Sequence, residues 1–210
     1  MKLKKAQVVG IILAADRPER MGENKFLLPF RNKPMLQQVI DAAQASTLQK
    51  LILVLPPESQ SLLKHVDTGE CEVVICHDQA EGQLQFLQAG LKCLACSEDI
   101  NGCMVIPGNL PLLNEKTIDY LIDAYSQDKE SWIAPTQQDM RGDPIIIPFS
   151  WWEKVAQLEG CLETRDLLGQ ASLRLRLIKM QDIGPFIKIN TRAEYQHLSR
   201  RHDLCLQKES

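Results

Sequence analysis

The sequence lacks both a long apolar run and a broad field of basic charge. No apolar segment reaches the roughly 20 residues that a membrane-spanning helix requires, so no membrane partner is expected. Its 24 Lys and Arg residues are outnumbered by 27 Asp and Glu, giving a formal net charge of −3. This balance argues against a general nucleic-acid-binding protein. Aromatic residues make up only 5% of the chain, but contents of 44% hydrophobic and 24% charged residues are typical of a soluble globular protein.

A disulfide framework is also missing. The seven cysteines are odd in number and scattered over 210 residues, which predicts reduced thiols. Cys93 and Cys96 form a C-x-x-C motif inside a predicted helix, where small apolar helix residues are favoured over a metal or redox role. The basic head and apolar run at the N-terminus have the order of a signal peptide, but the run is at the short end for one. We therefore predict a cytoplasmic protein.

Two common phosphate-binding motifs are absent. The sequence has no G-x-x-x-x-G-K, and no G-x-G-x-x-G follows the first apolar run. That run, at residues 8–15, is short and β-branched, which predicts a buried strand. A polar loop with Arg17, Arg20 and Lys25 follows it, and a strand that leads into such a loop commonly binds phosphate in α/β proteins. The alternative is a solvated β–α loop that is basic by chance.

Strands and helices alternate along the rest of the chain. Further strands are predicted at residues 51–55, 71–76, 103–106, 132–135 and 145–148, with an edge strand at 173–178. Helices are predicted to begin at Lys33-Pro34 and to cover residues 59–66, 84–95, 117–125, 161–168 and 192–202. This alternation predicts one α/β domain over residues 7–203, with a mostly parallel, Rossmann-like sheet between helices and a C-terminal tail at 204–210.

The basic loop and its flanks carry a recognisable pattern. It consists of Leu13, Ala14, Ala15, Arg20, Met21, Gly22, Lys25, Leu27, Leu28 and Pro29. The pattern resembles the nucleotide-binding signature of the Rossmann-like nucleotidyltransferases, and most of all the MobA-like cytidylyltransferases and guanylyltransferases of the molybdenum cofactor. The resemblance implies that Arg20 and Lys25 clamp phosphate during catalysis. Asp16 stands where the family has glycine, and it adds both a Cβ and a negative charge near a polyanion.

The same resemblance implies which residues bind the nucleotide. They are Leu13, Ala14, Ala15, Asp16, Gly22, Gly82, Gln83 and Gly108. Near Gly82, the chain has Phe86 where the family has serine and Gln88 where it usually has arginine or lysine. Phe86 could stack on a base or fill the space that a ligand would use, and the second role is favoured.

Both of the family's metal-binding motifs are altered. Residues 107–111 resemble a G-D-x-P motif whose aspartate holds Mg²⁺, but Asn109 replaces it. Residues 187–191 resemble D-I-D-T, with Lys188 and Asn190 in place of the two acids. Mg²⁺ prefers carboxylate, water and phosphate oxygens, so metal binding at Asn109 and Asn190 is expected to be weak. Asp16 and Asp182 are candidate replacement carboxylates.

A final motif concerns the second substrate. Arg141, Gly142, Asp143 and Pro144 resemble the family's R-G-H-P, which borders the pterin part of the acceptor. Asp143 takes the place of the histidine.

The resemblance implies transfer of CMP or GMP from CTP or GTP to a molybdopterin-type cofactor, with Mg²⁺ and release of pyrophosphate. One alternative is a weak or inactive relative that binds nucleotide, cofactor, or a molybdenum enzyme or its maturation factor. Another is transfer to a sugar or polyol phosphate, against which the R-G-x-P segment argues. The two Asp to Asn changes leave the choice between relaxed selection and altered chemistry open.

Overall fold

The computed structural model describes residues 5–15, 24–77, 82–94, 99–160, 162–169 and 174–206. The strands are β1 (Val8–Leu13), β2 (Pro29–Phe30), β3 (Lys33–Pro34), β4 (Leu51–Leu55), β5 (Glu72–Ile75), β6 (Gly102–Pro107), β7 (Trp132–Gln137), β8 (Met140–Arg141), β9 (Ile145–Pro148) and β10 (Leu175–Lys179). The α-helices are α1 (Met35–Gln44), α2 (Gln60–Leu63), α3 (Leu84–Lys92), α4 (Glu115–Gln127), α5 (Trp152–Ala156), α6 (Thr164–Leu167) and α7 (Arg192–Leu206). Short 3₁₀ helices occur at Lys25–Leu27, Phe149–Trp151 and Gly184–Phe186.

One large sheet runs through the middle of the molecule. Its strand order is β10-β7-β9-β6-β1-β4-β5, with β8 paired to β7. The pairs β1–β4, β1–β6, β4–β5 and β7–β10 are parallel, whereas β9 is antiparallel to both β6 and β7. The prediction of an α/β domain with a mostly parallel, Rossmann-like sheet is thus confirmed.

Helices cover both faces of this sheet, and the central strands are apolar on both sides for that reason. In β1, Val8 and Ile12 pack into the cluster beneath α1 and α4, whereas Val9 and Ile11 pack into the cluster beneath α3 and α5. All six residues of β1 are buried. This two-sided burial explains why residues 8–15 read as a continuous apolar run.

The predicted helix start at Lys33-Pro34 is wrong. Arg31 and Asn32 have left-handed φ angles of 48° and 65°, and they form the turn of a hairpin that pairs β2 with β3. Pro34 keeps an extended conformation (φ −53°, ψ 144°), so α1 begins one residue later, at Met35.

Several predicted helix boundaries also differ from the structure. Helix α3 ends at Lys92, with Cys93 as its C-terminal cap, rather than at residue 95. Helix α6 covers only Thr164–Leu167 of the predicted 161–168. Helix α7 continues to Leu206, into the predicted tail. Cys96 lies outside the described residues. Among the residues that the structure describes, no helix combines the length and apolar character needed to cross a bilayer.

Candidate active site

The ends of β1 and β6 form the point at which the sheet reverses its winding direction. The chain proceeds from β1 to β4 and β5 on one side, and then crosses to β6 on the other. Leu13 and Pro107 are paired at the carboxyl ends of these strands, and the Gly108 N–H donates to the Leu13 carbonyl at 2.9 Å. Ligands of open α/β sheets bind in the crevice at such a switch point. The predicted nucleotide-binding residues Leu13, Ala14, Ala15 and Gly108 lie here.

Lys25 belongs to the 3₁₀ helix that packs against this switch point. Asn24 caps that helix, since its side-chain oxygen accepts a hydrogen bond from the Phe26 N–H at 3.1 Å. Lys25 is 7% exposed, and its ammonium lies 5.4 Å from the centre of the Phe26 ring. A Cβ at Gly108 would come within 3.1 Å of the Phe26 ring, so the absence of a side chain at Gly108 permits this close packing. The predicted partners Arg20, Asp16 and Gly22 lie outside the described residues.

The two positions of the predicted metal site come together, although they are 81 residues apart. Asn109 is buried, with 6% exposure, two residues after the end of β6. Its side-chain N–H donates to the Asn190 Oδ1 at 2.8 Å and to the Ile189 carbonyl at 3.2 Å. The Ile189 N–H in turn donates to the Asn109 carbonyl at 3.0 Å. Because a backbone carbonyl can only accept, the contact with the Ile189 carbonyl identifies the Asn109 side-chain atom as its nitrogen, and thereby the Asn190 atom as its oxygen.

The R-G-D-P segment lies beside a second loop. The Asp143 N–H donates to the Pro185 carbonyl at 2.9 Å, and the Gly142 N–H donates to the Pro135 carbonyl at 2.9 Å. A Cβ at Gly142 would lie 2.6 Å from the Pro185 carbonyl oxygen and 2.8 Å from the Phe186 ring. Only glycine therefore permits the two segments to approach this closely.

Lys188 and Asp143 form an ion pair at this junction. Their Nζ and Oδ2 atoms are 2.5 Å apart, and the side chains are 30% and 8% exposed, respectively. Lys188 stands where the resemblance places the first acid of D-I-D-T, and Asp143 where it places a histidine. Sequence reasoning noted both substitutions but missed that the two residues meet.

A cavity of about 310 Å³ lies where the R-G-D-P segment meets the loop after β10 and the start of α7. Its polar lining comes from Arg141, Gly142, Asp143, Lys188, Asn190 and Glu194. Leu168, Pro185 and Phe186 supply an apolar side. The predicted second-substrate segment and one predicted metal position thus share a single cavity. Gly82 and Gln83, at the start of α3, are not among its lining residues.

Glu194 was also missed, and the sequence contained a signal for it. Its Oε2 accepts from the backbone N–H groups of Asn190 at 2.7 Å and Thr191 at 2.9 Å. The Thr191 hydroxyl oxygen accepts from the Glu194 N–H at 3.3 Å. This is the capping box that the T-x-x-E spacing at the start of a helix indicates. The cap of α7 therefore holds Asn190 in place.

Two residues of α3 that depart from the family pattern have structural roles. Phe86 is 8% exposed and belongs to the core cluster that includes Leu13, so it fills space, as favoured from the sequence. The side-chain N–H₂ of Gln88 lies 2.9–3.3 Å from the carbonyl oxygens of Val155, Ala156 and Leu158. Gln88 therefore caps the C-terminal end of α5.

Asp182 does not supply a free carboxylate. Its Oδ2 accepts from the Asn114 side chain at 2.8 Å and from the Thr117 hydroxyl at 2.6 Å. Its Oδ1 accepts from the Gly184 N–H at 3.0 Å. Both oxygens are thus used to join the start of α4 to the loop after β10.

The donor set of the described residues does not fit a Mg²⁺ site. Asn109 and Asn190 offer neutral amides that are already bonded to each other. The two carboxylates that line the cavity are engaged by Lys188 and by backbone N–H groups. Within the described part of the chain, no group of three or more His, Cys, Asp or Glu residues could hold a metal ion. Hard cations require oxygen ligands that this arrangement does not present.

The sheet order, the switch-point crevice and the adjoining cavity define a nucleotidyltransferase-type α/β protein. The chain belongs to the MobA-like NTP transferase domain family, whose model matches residues 10–175. The resemblance to the MobA-like nucleotidyltransferases is thus confirmed. The segment with Lys188, Asn190 and Glu194 lies beyond the matched residues.

Proteins similar in sequence include a probable molybdenum cofactor guanylyltransferase from Thermococcus kodakarensis. It is 26% identical over 144 residues, which are 68% of this chain and 66% of the relative. The purine catabolism protein PucB from Bacillus subtilis is 24% identical over 206 residues, 94% of this chain and 98% of that protein. These proteins are relatives in sequence.

Solved structures show the same fold. Rv0371c from Mycobacterium tuberculosis superposes with a TM-score of 0.83 at 22% identity, covering 93% of this chain and 99% of its own. A manganese complex of the same protein gives a TM-score of 0.77 at 21% identity, over 94% and 100% of the two chains. A molybdopterin-guanine dinucleotide biosynthesis protein A from Archaeoglobus fulgidus gives 0.69 at 15% identity, over 94% and 98%.

Proposed function

We propose that this protein transfers CMP or GMP from CTP or GTP to a molybdopterin-type acceptor and releases pyrophosphate. In this reaction a phosphate oxygen of the acceptor forms a bond to the α-phosphorus. The bond from that phosphorus to the bridging oxygen breaks, and pyrophosphate leaves with the electron pair. Such a transfer needs little covalent chemistry from the protein, so in-line positioning and charge stabilisation govern the rate.

The observation that carries this proposal is the shared cavity. It joins the Arg141–Asp143 segment, proposed to border the acceptor, to Asn190, which bonds to Asn109 at the end of β6. An acceptor in the cavity would therefore lie next to the switch point, where the nucleotide is proposed to bind. This adjacency is what a transfer between two bound substrates requires.

Lys25 and Arg20 are proposed to hold the nucleotide phosphates. Lys25 is 7% exposed and its neighbour Phe26 packs against Gly108, which supports a position of the Lys25 ammonium beside the crevice. A desolvated cation interacts more strongly with phosphate than an exposed one does. Backbone groups of residues 13–15 and Gly108 are proposed to bind the rest of the nucleotide.

A second candidate function is binding without transfer. The bond between Asn109 and Asn190 favours it, because both positions that the resemblance assigns to metal-binding aspartates carry neutral amides. Such a relative would bind nucleotide, molybdopterin-type cofactor, or a molybdenum enzyme or its maturation factor. We propose this role as the alternative to turnover.

Calorimetric titration with CTP and with GTP, each in EDTA and in excess Mg²⁺, tests the nucleotide assignment. Tight binding of one of them supports it, and an assay of pyrophosphate release with a molybdopterin acceptor then separates transfer from binding alone. If neither nucleotide binds under either condition, both the transfer and the nucleotide-binding role are wrong, and protein partners become the target of the search.

A further inference from the structure

The positions of the family's two metal ligands are joined to each other by a hydrogen bond. The Asn109 side-chain N–H donates to the Asn190 Oδ1 at 2.8 Å. Two carboxylates in these places would repel each other and would need a cation between them. Two amides need none, because one donates to the other. We call this contact the Asn109–Asn190 pair.

The carboxylates beside the Asn109–Asn190 pair also have partners within the chain. Asp143 is paired with Lys188 at 2.5 Å, and Glu194 accepts two backbone N–H bonds. The carboxylates of the cavity thus have partners supplied by the chain itself. Lys188 places a fixed positive charge on a segment where the resemblance implies an acid. Its ammonium has three N–H donors and its side chain is 30% exposed, so it can bind a second anion besides Asp143.

Arg141 adds a second cation to the cavity. It is exposed, and no hydrogen bond or ion pair of its guanidinium occurs within the described residues. The cavity therefore presents one guanidinium and one partly exposed ammonium to a ligand, while its carboxylates are already satisfied. This arrangement can neutralise a phosphate group directly.

We infer that this site has lost its divalent cation and that it binds its phosphorylated ligand without metal. The Asn109–Asn190 pair closes the place of the cation, and Lys188 supplies positive charge from the chain. The inference rests on the proposed function for the identity of the ligand. The absence of a cation site can be tested separately with the metal alone.

The first measurement is a titration of the full chain with Mn²⁺ alone, followed by electron paramagnetic resonance. The wild type is compared with Asn109→Asp/Asn190→Asp, Asn190→Ala and Asp16→Asn. The double aspartate variant is expected to bind Mn²⁺ at least about tenfold more tightly than the wild type. The wild type, Asn190→Ala and Asp16→Asn are expected to be equal. If the double aspartate variant folds only when Mn²⁺ is present, that result also supports the inference, because it shows that the two aspartates bind the cation.

Three results would overturn the inference. One is equal Mn²⁺ affinity of the wild type and the double aspartate variant. Another is loss of wild-type Mn²⁺ binding in Asn190→Ala or Asp16→Asn, which would place a cation in this site. The third comes from the nucleotide titrations, in which binding to the wild type is expected to change by less than about tenfold between EDTA and Mg²⁺. A larger gain with Mg²⁺ contradicts metal independence. If no nucleotide binds at all, the proposed function fails, and the Mn²⁺ titration decides the loss of the cation site by itself.

Discussion

The Lys188 Nζ and the Asp143 Oδ2 lie 2.5 Å apart in the lining of the cavity, in two segments that resemble motifs of the family. Where the family pattern has a histidine in the R-G-H-P segment, the chain has an acid. Where the pattern has the first aspartate of D-I-D-T, it has a base. The acid and the base have thus exchanged places relative to the family pattern, and in this chain the two side chains form an ion pair. The charges at the two positions thus compensate each other in this structure.

Removing one partner of this pair should be costly. Lys188→Met leaves the Asp143 carboxylate, which is 8% exposed, without its counter-charge. We expect a loss of roughly 1–3 kcal/mol in the free energy of unfolding, below the range for fully buried pairs because Lys188 is partly exposed. Urea denaturation measures it.

The double variant Asp143→Asn/Lys188→Met should be more stable than Lys188→Met alone, because it leaves no uncompensated charge. The exposed pair of Lys33 and Asp41 offers a matched control, and Lys33→Met should cost less than about 1 kcal/mol. If Lys188→Met and Lys33→Met have equal urea midpoints, the pair of Lys188 and Asp143 stabilises the fold no more than an exposed ion pair does.

Lys25→Ala is expected to weaken nucleotide binding by more than about tenfold. The change removes a charge-assisted phosphate contact of roughly 1.5–3 kcal/mol. Isothermal titration with CTP and GTP provides the measurement. Lys50→Ala is the control, since Lys50 pairs with Glu72 on the surface. Thermal unfolding of both variants verifies that the fold is kept. An affinity unchanged by Lys25→Ala would remove the basis for assigning Lys25 to phosphate.

Gly142→Ala should disturb the cavity through packing alone. The added Cβ would lie 2.6 Å from the Pro185 carbonyl oxygen, so the loop at Gly184–Phe186 must shift. We expect a destabilisation of roughly 1–3 kcal/mol. Gly169→Ala is the control, because the nearest atom to its Cβ, the Asp166 carbonyl oxygen, is 3.2 Å away. Comparable melting temperatures of the two variants would argue against a tight contact at Gly142.

Tyr125 makes stability depend on alkaline pH. Burial raises the pKa of its phenol, and Cys103, Glu130 and Asp128 raise it further. Below a pH of about 10 the phenol is neutral in both the folded and unfolded states. Above that pH the unfolded state loses the proton first, so the free energy of unfolding falls by up to about 1.4 kcal/mol per pH unit.

Tyr125→Phe removes this titration. It also removes a hydroxyl that lies 2.7 Å from the Asn101 carbonyl oxygen, so the variant should be less stable at neutral pH. The stability difference between wild type and variant is expected to shrink between about pH 8 and about pH 11. Urea denaturation across this range checks the prediction, and a constant difference would contradict it.

The main strands could be predicted because each central strand is buried on both faces and reads as an unbroken apolar run. The hairpin before α1 was not predicted, since its turn needs left-handed backbone conformations at both Arg31 and Asn32. Asn32 is a residue type that commonly signals this conformation, but Arg31 is not. Lys33-Pro34 consequently looked like a helix start, although it belongs to β3.

Some features of the candidate site could be predicted from the sequence, and others could not. Resemblance placed Asn109 and Asn190 in equivalent roles, and the structure brings them together. The pairing of Lys188 with Asp143 was not predictable from spacing, because it depends on how the loop after β10 packs on the segment before β9. The same holds for Asp182, a candidate ligand from the sequence, whose carboxylate bonds to Asn114 and Thr117.

The loop after β10 and the start of α7 contribute Lys188, Asn190 and Glu194 to the cavity, and Tyr195 donates a hydrogen bond to the Pro29 carbonyl, 166 residues earlier, at 2.7 Å. The ribosome releases these residues after every strand of the sheet has been made. A nascent chain can therefore assemble its strands in order while the cavity still lacks one wall. A ligand that needs this wall can bind only after residues 188–195 have been made and have docked.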